Sequence, residues 1–292
     1  MKKIKARVIK GVGGDFWVSA GEKIEIAKAR KKLKLGKIKV GDFVEVDLEQ
    51  KVIERLLPRE NELIRPPVAN VEQGFIVIGI VPKPDFLLID KLIIKFNSLK
   101  IEPKIVINKM DIATEEFLAE VEANYGKVCE IIEVSAKESK EEAKKTLMSK
   151  LEGKLTVLTG QSAVGKTSIL KILKPEVEME VGDLSAKTAR GKNTTRHSEV
   201  FVLDNGGFII DTPGFNAFVL DDFTPEQIID NYFDFRQYSK ECKYNNCNHL
   251  GEGVNICAVK RAVEQGEICE DRYMRYCQIY KEAKEQESNK YE

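Results

Sequence analysis

The stretch Gly160-Gln161-Ser162-Ala163-Val164-Gly165-Lys166-Thr167 constrains this chain more than any other. It follows the pattern GxxxxGK[ST]. The apolar run Leu155–Thr159 precedes it, and a helical pattern, Ser168–Leu173, follows. Strand, glycine-containing turn and helix in that order gather backbone N–H groups and the positive end of a helix around one point, the arrangement that holds a phosphate chain. Gly160 to Ser168 is therefore the candidate phosphate loop. Lys166 is placed to reach β and γ phosphates and to serve catalysis there, and Thr167 to ligate Mg²⁺.

The surrounding pattern fits such a loop. Phe75–Val81 is a continuous apolar run, as in a strand buried on both faces. Helical patterns near 86–97, 114–124 and 139–152 alternate with apolar strands at Lys104–Ile107, Val128–Val134, Val200–Leu203 and Phe208–Ile210. This alternation predicts an α/β unit with a mainly parallel sheet. Asn205-Gly206-Gly207 is a hairpin signal joining the last two strands.

Other short motifs sit at strand ends. Asn108-Lys109-Met110-Asp111 ends the strand Lys104–Ile107, and resembles the guanine-recognition motif NKxD of GTPases. The Asp111 carboxylate can accept from both guanine N1–H and the 2-amino group, and adenine offers neither donor in that place. Ser135-Ala136-Lys137, at the end of the next strand, resembles the companion SAK motif, with a backbone N–H for guanine O6. Asp211-Thr212-Pro213-Gly214 follows a buried strand, with Asp211 placed for a water of the Mg²⁺ shell and the Gly214 N–H for the γ phosphate. An ordinary small GTPase runs P-loop, switch I threonine, DxxG, NKxD, SAK. Here NKMD and SAK come first, the mark of a circular permutation.

Residues 1–65 read differently. Ile4, Ala6 and Val8 alternate with Lys5 and Arg7, and Val44, Val46 and Leu48 with Glu45, Asp47 and Glu49. Short strands with glycine turns predict a small barrel of the OB type. The chain as a whole is neutral, but this segment carries 17 Lys and Arg against 10 Asp and Glu. Many of them lie between Lys28 and Lys39, which suggests an anionic partner such as RNA, or simply a solvated basic loop. After Phe223 the strands stop, and Thr224-Pro225-Glu226 reads as a helix start. Cys242, Cys247, His249 and Cys257 then offer three thiolates and one imidazole, a set suited to tetrahedral Zn²⁺, with Cys269 as an alternative fourth ligand. No apolar run approaches the roughly 20 residues of a membrane span, so a cytoplasmic protein without membrane contact is expected.

These features together resemble the bacterial ribosome small subunit-dependent GTPases over nearly the whole chain. The resemblance implies three domains: an OB-type RNA-binding barrel at 1–65, a circularly permuted P-loop GTPase at 66–222, and a zinc-binding helical domain at 223–292. It implies GTP/GDP, Mg²⁺ and one Zn²⁺ per chain. The implied partners are the 30S ribosomal subunit and its 16S rRNA, not DNA, engaged by a monomer in late subunit maturation. It supports the same four zinc ligands, although the spacing from His249 to Cys257 is longer than usual in the family. The family's GRHTT-like switch I core corresponds to Gly191-Lys192-Asn193-Thr194-Thr195-Arg196-His197. Thr195 is the expected Mg²⁺ and γ-phosphate threonine, with Thr194 second. The family's histidine falls on Asn193; His197, four residues on, is the candidate catalytic imidazole if the loop refolds, or simply a solvated loop residue. Phe215 stands where many small GTPases place a water-orienting glutamine, so unassisted hydrolysis is expected to be slow. The alternative is a GTP-regulated RNA-binding module with vestigial hydrolysis.

Overall fold

The computed structural model describes residues 3–21, 23–30, 33, 38–64, 67–175, 200–211 and 223–289. Five strands open the chain: β1 (Lys3–Val12), β2 (Asp15–Ala20), β3 (Lys23–Ala29), β4 (Phe43–Asp47) and β5 (Val52–Leu56). They close into a barrel in the order β1-β2-β3-β5-β4, with β3 and β5 parallel. Ala6, Val8, Phe16, Val18, Val44, Val46 and Ile53 fill it, as the alternation predicts. Two residues depart from that alternation. Arg7 is 5 % exposed, because a second domain covers the outer barrel wall and supplies Glu72 as its partner. Asp47 is buried because its carboxylate caps the following turn, accepting from the N–H groups of Glu49 and Gln50.

A small ladder, β6 (Glu62–Leu63) with β7 (Val68–Ala69), leads into the central sheet. Its strands are β8 (Gln73–Ile78), β9 (Glu102–Ile107), β10 (Glu130–Glu133), β11 (Leu155–Thr159), β12 (Val200–Val202) and β13 (Phe208–Asp211). They lie in the order β10-β9-β8-β11-β13-β12, parallel except for the hairpin β12–β13. The phosphate-loop strand β11 is central, between β8 and β13. The chain enters at β8, covers one half of the sheet, and only then reaches β11 and the other half. This is the permutation seen as topology.

Helices cover both faces. On one side, α1 (Phe86–Ser98) and α2 (Glu115–Tyr125) meet Ile76, Ile78, Ile105 and Ile107. On the other, α3 (Lys140–Leu151) and α4 (Lys166–Leu173) meet Phe75, Val77, Val106 and Leu158. Odd and even residues of β8 thus serve opposite cores, which explains its unbroken apolar run. Asp85 caps α1 by accepting the Leu88 N–H, and Thr114 caps α2 through the Phe117 N–H.

The C-terminal unit is helical: α5 (Pro225–Asn231), α6 (Arg236–Ser239), α7 (Ala258–Glu264) and α8 (Glu270–Asn289). Thr224 and Gln227 form a reciprocal capping box, with Pro225 in the first turn. This unit shares a core with α1 through Ile94. A buried ion-pair cluster crosses the same boundary. Asp90 of α1 accepts from both Arg272 and Arg275 of α8, the latter at 2.5 Å. Asp234 takes two further bonds from Arg272, each 2.9 Å.

Candidate functional site

The loops at the ends of β11, β9 and β10 converge. Gly160 has φ +131°, and a side chain there would meet the Val77 carbonyl. Gly165 has φ +100°, and a side chain there would strike the Asn108 amide. Both positions require glycine, the first to pass close to β8 and the second to admit Asn108. Ala163 also takes the left-handed region, φ +64°. The loop then enters α4 at Lys166, aiming the first N–H groups of that helix into the turn. The Lys166 ammonium lies across the loop, donating to the carbonyls of Gly160 at 2.8 Å and Gln161 at 2.6 Å. Ser162 and Ser168 are exposed, Thr167 half-buried and Val164 buried beneath.

Asn108, 2 % exposed, ties the motifs together. Its Nδ2 donates to the Val164 carbonyl at 3.0 Å, and its Oδ1 accepts the Ala136 N–H at 3.1 Å. Lys109, at φ +65°, reaches the carbonyls of Val81 and Ala163 at 2.7 and 2.9 Å. One asparagine and one lysine thus fasten NKMD to the phosphate loop and to SAK. Asp111 accepts the Ser135 hydroxyl at 2.5 Å. That bond, with Lys137 and Lys109 nearby, holds the Asp111 carboxyl below the usual aspartate range. It is therefore ionised at neutral pH, the form that accepts two donors from a guanine edge. The Lys137 side chain is exposed and pairs with Glu138 at 3.2 Å.

Asp211 closes β13, its backbone in register with Leu158 of β11, the strand that leads into the phosphate loop. Thr194, Thr195, His197, Asn193, Gly214 and Phe215 lie outside the described residues. Sequence reasoning did not foresee the side-chain brace on the loop: Gln161 accepts the Asp85 N–H at 2.9 Å and donates to the Lys83 carbonyl at 3.4 Å, joining the loop to the start of α1.

The second site is in the C-terminal unit. The donor atoms of Cys242, Cys247, His249 and Cys257 all lie within 4.8 Å of one another. His249 presents Nδ1, at 3.7, 3.4 and 3.4 Å from the sulfurs of Cys242, Cys247 and Cys257. Main-chain N–H groups of Ala258 and Lys260 donate to the Cys242 and Cys257 sulfurs at 3.3 and 3.4 Å. Such bonds favour thiolate, as does the place of Cys257 at the N-cap of α7. Burial works the other way, pushing the Cys247 and Cys257 thiols up and the His249 imidazole down. The imidazole is thus neutral, its ligand form. Three sulfurs and a neutral imidazole at these separations fit a tetrahedral zinc ion. Cys269 stands apart, its sulfur on Asn124 Oδ1 at 3.4 Å. Tyr273 and Tyr276 support the site from α8, donating to the carbonyls of His249 and Asn248, each at 2.7 Å.

A family model described as RsgA GTPase matches residues 56–221. A protein of Caldanaerobacter subterraneus, named small ribosomal subunit biogenesis GTPase RsgA, is 37 % identical over 300 aligned positions, spanning 100 % of this chain and 99 % of that one. The Clostridium acetobutylicum protein of the same name is 40 % identical, over 92 % and 94 %. Among solved structures, YjeQ from Thermotoga maritima superposes with a TM-score of 0.80 at 31 % identity, covering 97 % of this chain and 99 % of that one. YloQ, described as a circularly permuted GTPase, also gives 0.80, at 29 % identity over 98 % and 96 %.

Proposed function

The chain belongs to the RsgA GTPase family, and on that premise we propose that it hydrolyses GTP to GDP and phosphate while bound to the small ribosomal subunit, in late maturation of that particle. The observation that carries the nucleotide half is the junction at Asn108, where NKMD, SAK and the phosphate loop meet. The ribosomal half rests on the relatives' names and on the basic barrel.

In this reading the Asp111 carboxylate takes guanine N1–H and the 2-amino group, and the Ser135 hydroxyl fixes its orientation. Lys166 exchanges its loop carbonyls for β and γ phosphate oxygens, a short swing within the same turn. Bound Mg²⁺ supplies neutralisation of the phosphate charge, with Thr167 and Thr195 as protein ligands and Asp211 holding its water. Thr194 is the second choice for the switch threonine. The Gly214 N–H meets the γ phosphate, and His197 is the imidazole assigned to hydrolysis. Zinc is held by Cys242, Cys247, His249 and Cys257, and supplies fixed closure of the loops around it. The domain division at 1–65, 66–222 and 223–292 belongs to the same proposal, as do 16S rRNA as the contacted RNA, a monomeric state and a cytoplasmic location. No helix among the described residues is long and apolar enough to cross a membrane.

Sedimentation with purified subunits tests the ribosomal half. The protein should travel with small subunits in a non-hydrolysable GTP analogue and leave them in GDP. Equal retention on large subunits, or none on small ones in either nucleotide, contradicts it.

A further inference from the structure

Between Cys242 and Cys247 the chain turns outward through Lys243, Tyr244, Asn245 and Asn246, all exposed. The turn is tightly held. Its two ends are sulfur donors of the four-residue cluster. The Lys243 N–H is fastened to the Ile256 carbonyl at 2.9 Å, and the Cys247 N–H to the Tyr244 carbonyl at 3.2 Å. On this rigid frame Tyr244 leaves 49 % of its surface in water, with the Lys243 ammonium 5.8 Å from its ring centre. Phe233 repeats the arrangement earlier in the same unit: it is 44 % exposed, with the Arg236 guanidinium 4.0 Å over its ring.

The charge is local. Residues 223–292 carry 10 Lys and Arg against 13 Asp and Glu, whereas 236–246 carry 3 against 1. That single acid, Glu241, is paired with Arg261 at 3.8 Å. A basic, aromatic-bearing turn on an acidic unit selects an anionic partner with flat apolar faces.

We propose that the Lys243–Asn246 turn docks unpaired nucleotides of RNA, with one base stacked on Tyr244. Lys243 meets the phosphate, and the Asn245 and Asn246 side-chain amides offer donors and acceptors to the base edge. Paired RNA does not fit, because its base faces are already stacked within the helix, whereas splayed bases present a free face to an aromatic ring. A protein partner fits less well, since the ring is flanked by a lysine and two asparagines rather than by apolar side chains. The proposal rests on the reading that the chain binds the small ribosomal subunit, and it assigns a nucleotide-level contact within that complex.

The test uses the full-length, zinc-loaded chain and two probes: small subunits with a GTP analogue, and a short oligouridylate against an RNA duplex of equal length. Stacking on an aromatic side chain contributes about tenfold in affinity per base. Tyr244→Ala should weaken binding to subunits and to oligouridylate by about that factor, and Tyr244→Phe should restore it, since stacking does not need the hydroxyl. Zinc content and subunit-free turnover should be unchanged in both. A photo-crosslinking residue at position 244 should mark an unpaired rRNA nucleotide. Unchanged affinity of Tyr244→Ala for both probes, or a crosslink to a ribosomal protein or a paired nucleotide, overturns the proposal. Should the unaltered chain fail to bind subunits, the ribosomal reading falls, and the oligouridylate arm alone decides the turn: Tyr244-dependent preference for single strands upholds it, and its absence refutes it.

Discussion

Removing the Asp90 carboxylate is the sharpest structural perturbation available, because two arginines from the far end of the chain depend on it. Asp90 and the Arg272 side chain are 0 % and 2 % exposed. Taking away one partner of a buried ion pair strands the other charge, at a cost of roughly 3–5 kcal/mol. The structure places Asp90→Ala at the lower end. Arg272 keeps two bonds to Asp234 at 2.9 Å, and Arg275 keeps one to Asn124 at 2.7 Å. About 3 kcal/mol is therefore expected. With a shift of roughly 4–8 °C per kcal/mol for a unit of about 70 residues, the transition that releases the C-terminal helices should fall by about 12–24 °C. Lys91→Ala is the internal control. Its pair with Glu282, at 2.8 Å, joins the same helices but is solvent-accessible, with side-chain exposures of 19 % and 37 %, so less than about 1 kcal/mol is expected. Differential scanning calorimetry of zinc-loaded protein measures both. Equal shifts for the two variants would refute the reasoning that the buried cluster, rather than the rim, holds the unit on α1.

Three further outcomes follow from particular contacts. Asp111→Asn should weaken GTP binding by roughly 10²–10⁴, through the loss of two charge-assisted bonds, and should raise affinity for XTP, whose 2-carbonyl suits an amide donor; nucleotide competition reads both, and unchanged GTP affinity would remove NKMD from the site. Cys247→Ser should lose the metal and loosen the C-terminal unit while leaving nucleotide affinity nearly intact, checked by elemental analysis and GDP titration; zinc retained at one per chain would contradict the ligand set. Glu130 bridges Lys104 at 2.6 Å and Lys150 at 2.5 Å, bonds that hold its carboxyl below the usual glutamate range. Its contribution is thus present above the unfolded value of about 4.5 and is lost as pH falls through the lower folded value. Glu130→Gln should therefore flatten the acid limb of a urea-denaturation series below about pH 4.5 and leave its shape above about pH 6 unaltered; an unchanged acid limb would contradict this.

Local chemistry was readable in the sequence, and long-range pairing was not. Strand β11, the phosphate loop and α4 follow from an apolar run, two obligatory glycines and a helical stripe, all within neighbouring residues. The Cys and His donors were readable for the same reason, since one loop system gathers them. Arg7 reads as a solvent-facing residue of a half-buried strand, because the domain that covers it lies some 65 positions away. The Asp90 cluster joins residues 182 apart. One local signal for it was present, a carboxylate on the apolar face of α1 beside Ile89, Ile93 and Ile94. Such a residue needs a buried cation, but nothing in the local pattern says which one.

Multiple-turnover phosphate release from GTP, compared without ribosomal particles, with purified small subunits and with purified large subunits, tests the central claim most directly. With Phe215 and Asn193 in place of water-positioning groups, the chain alone should turn over at roughly 10⁻⁴–10⁻² per second, and a partner that completes the site can add on the order of 10³–10⁵. The account predicts a large increase with small subunits, little with large ones, and weaker stimulation as salt rises and competes for the phosphate contacts of the basic barrel. Equal turnover in all three mixtures would contradict it.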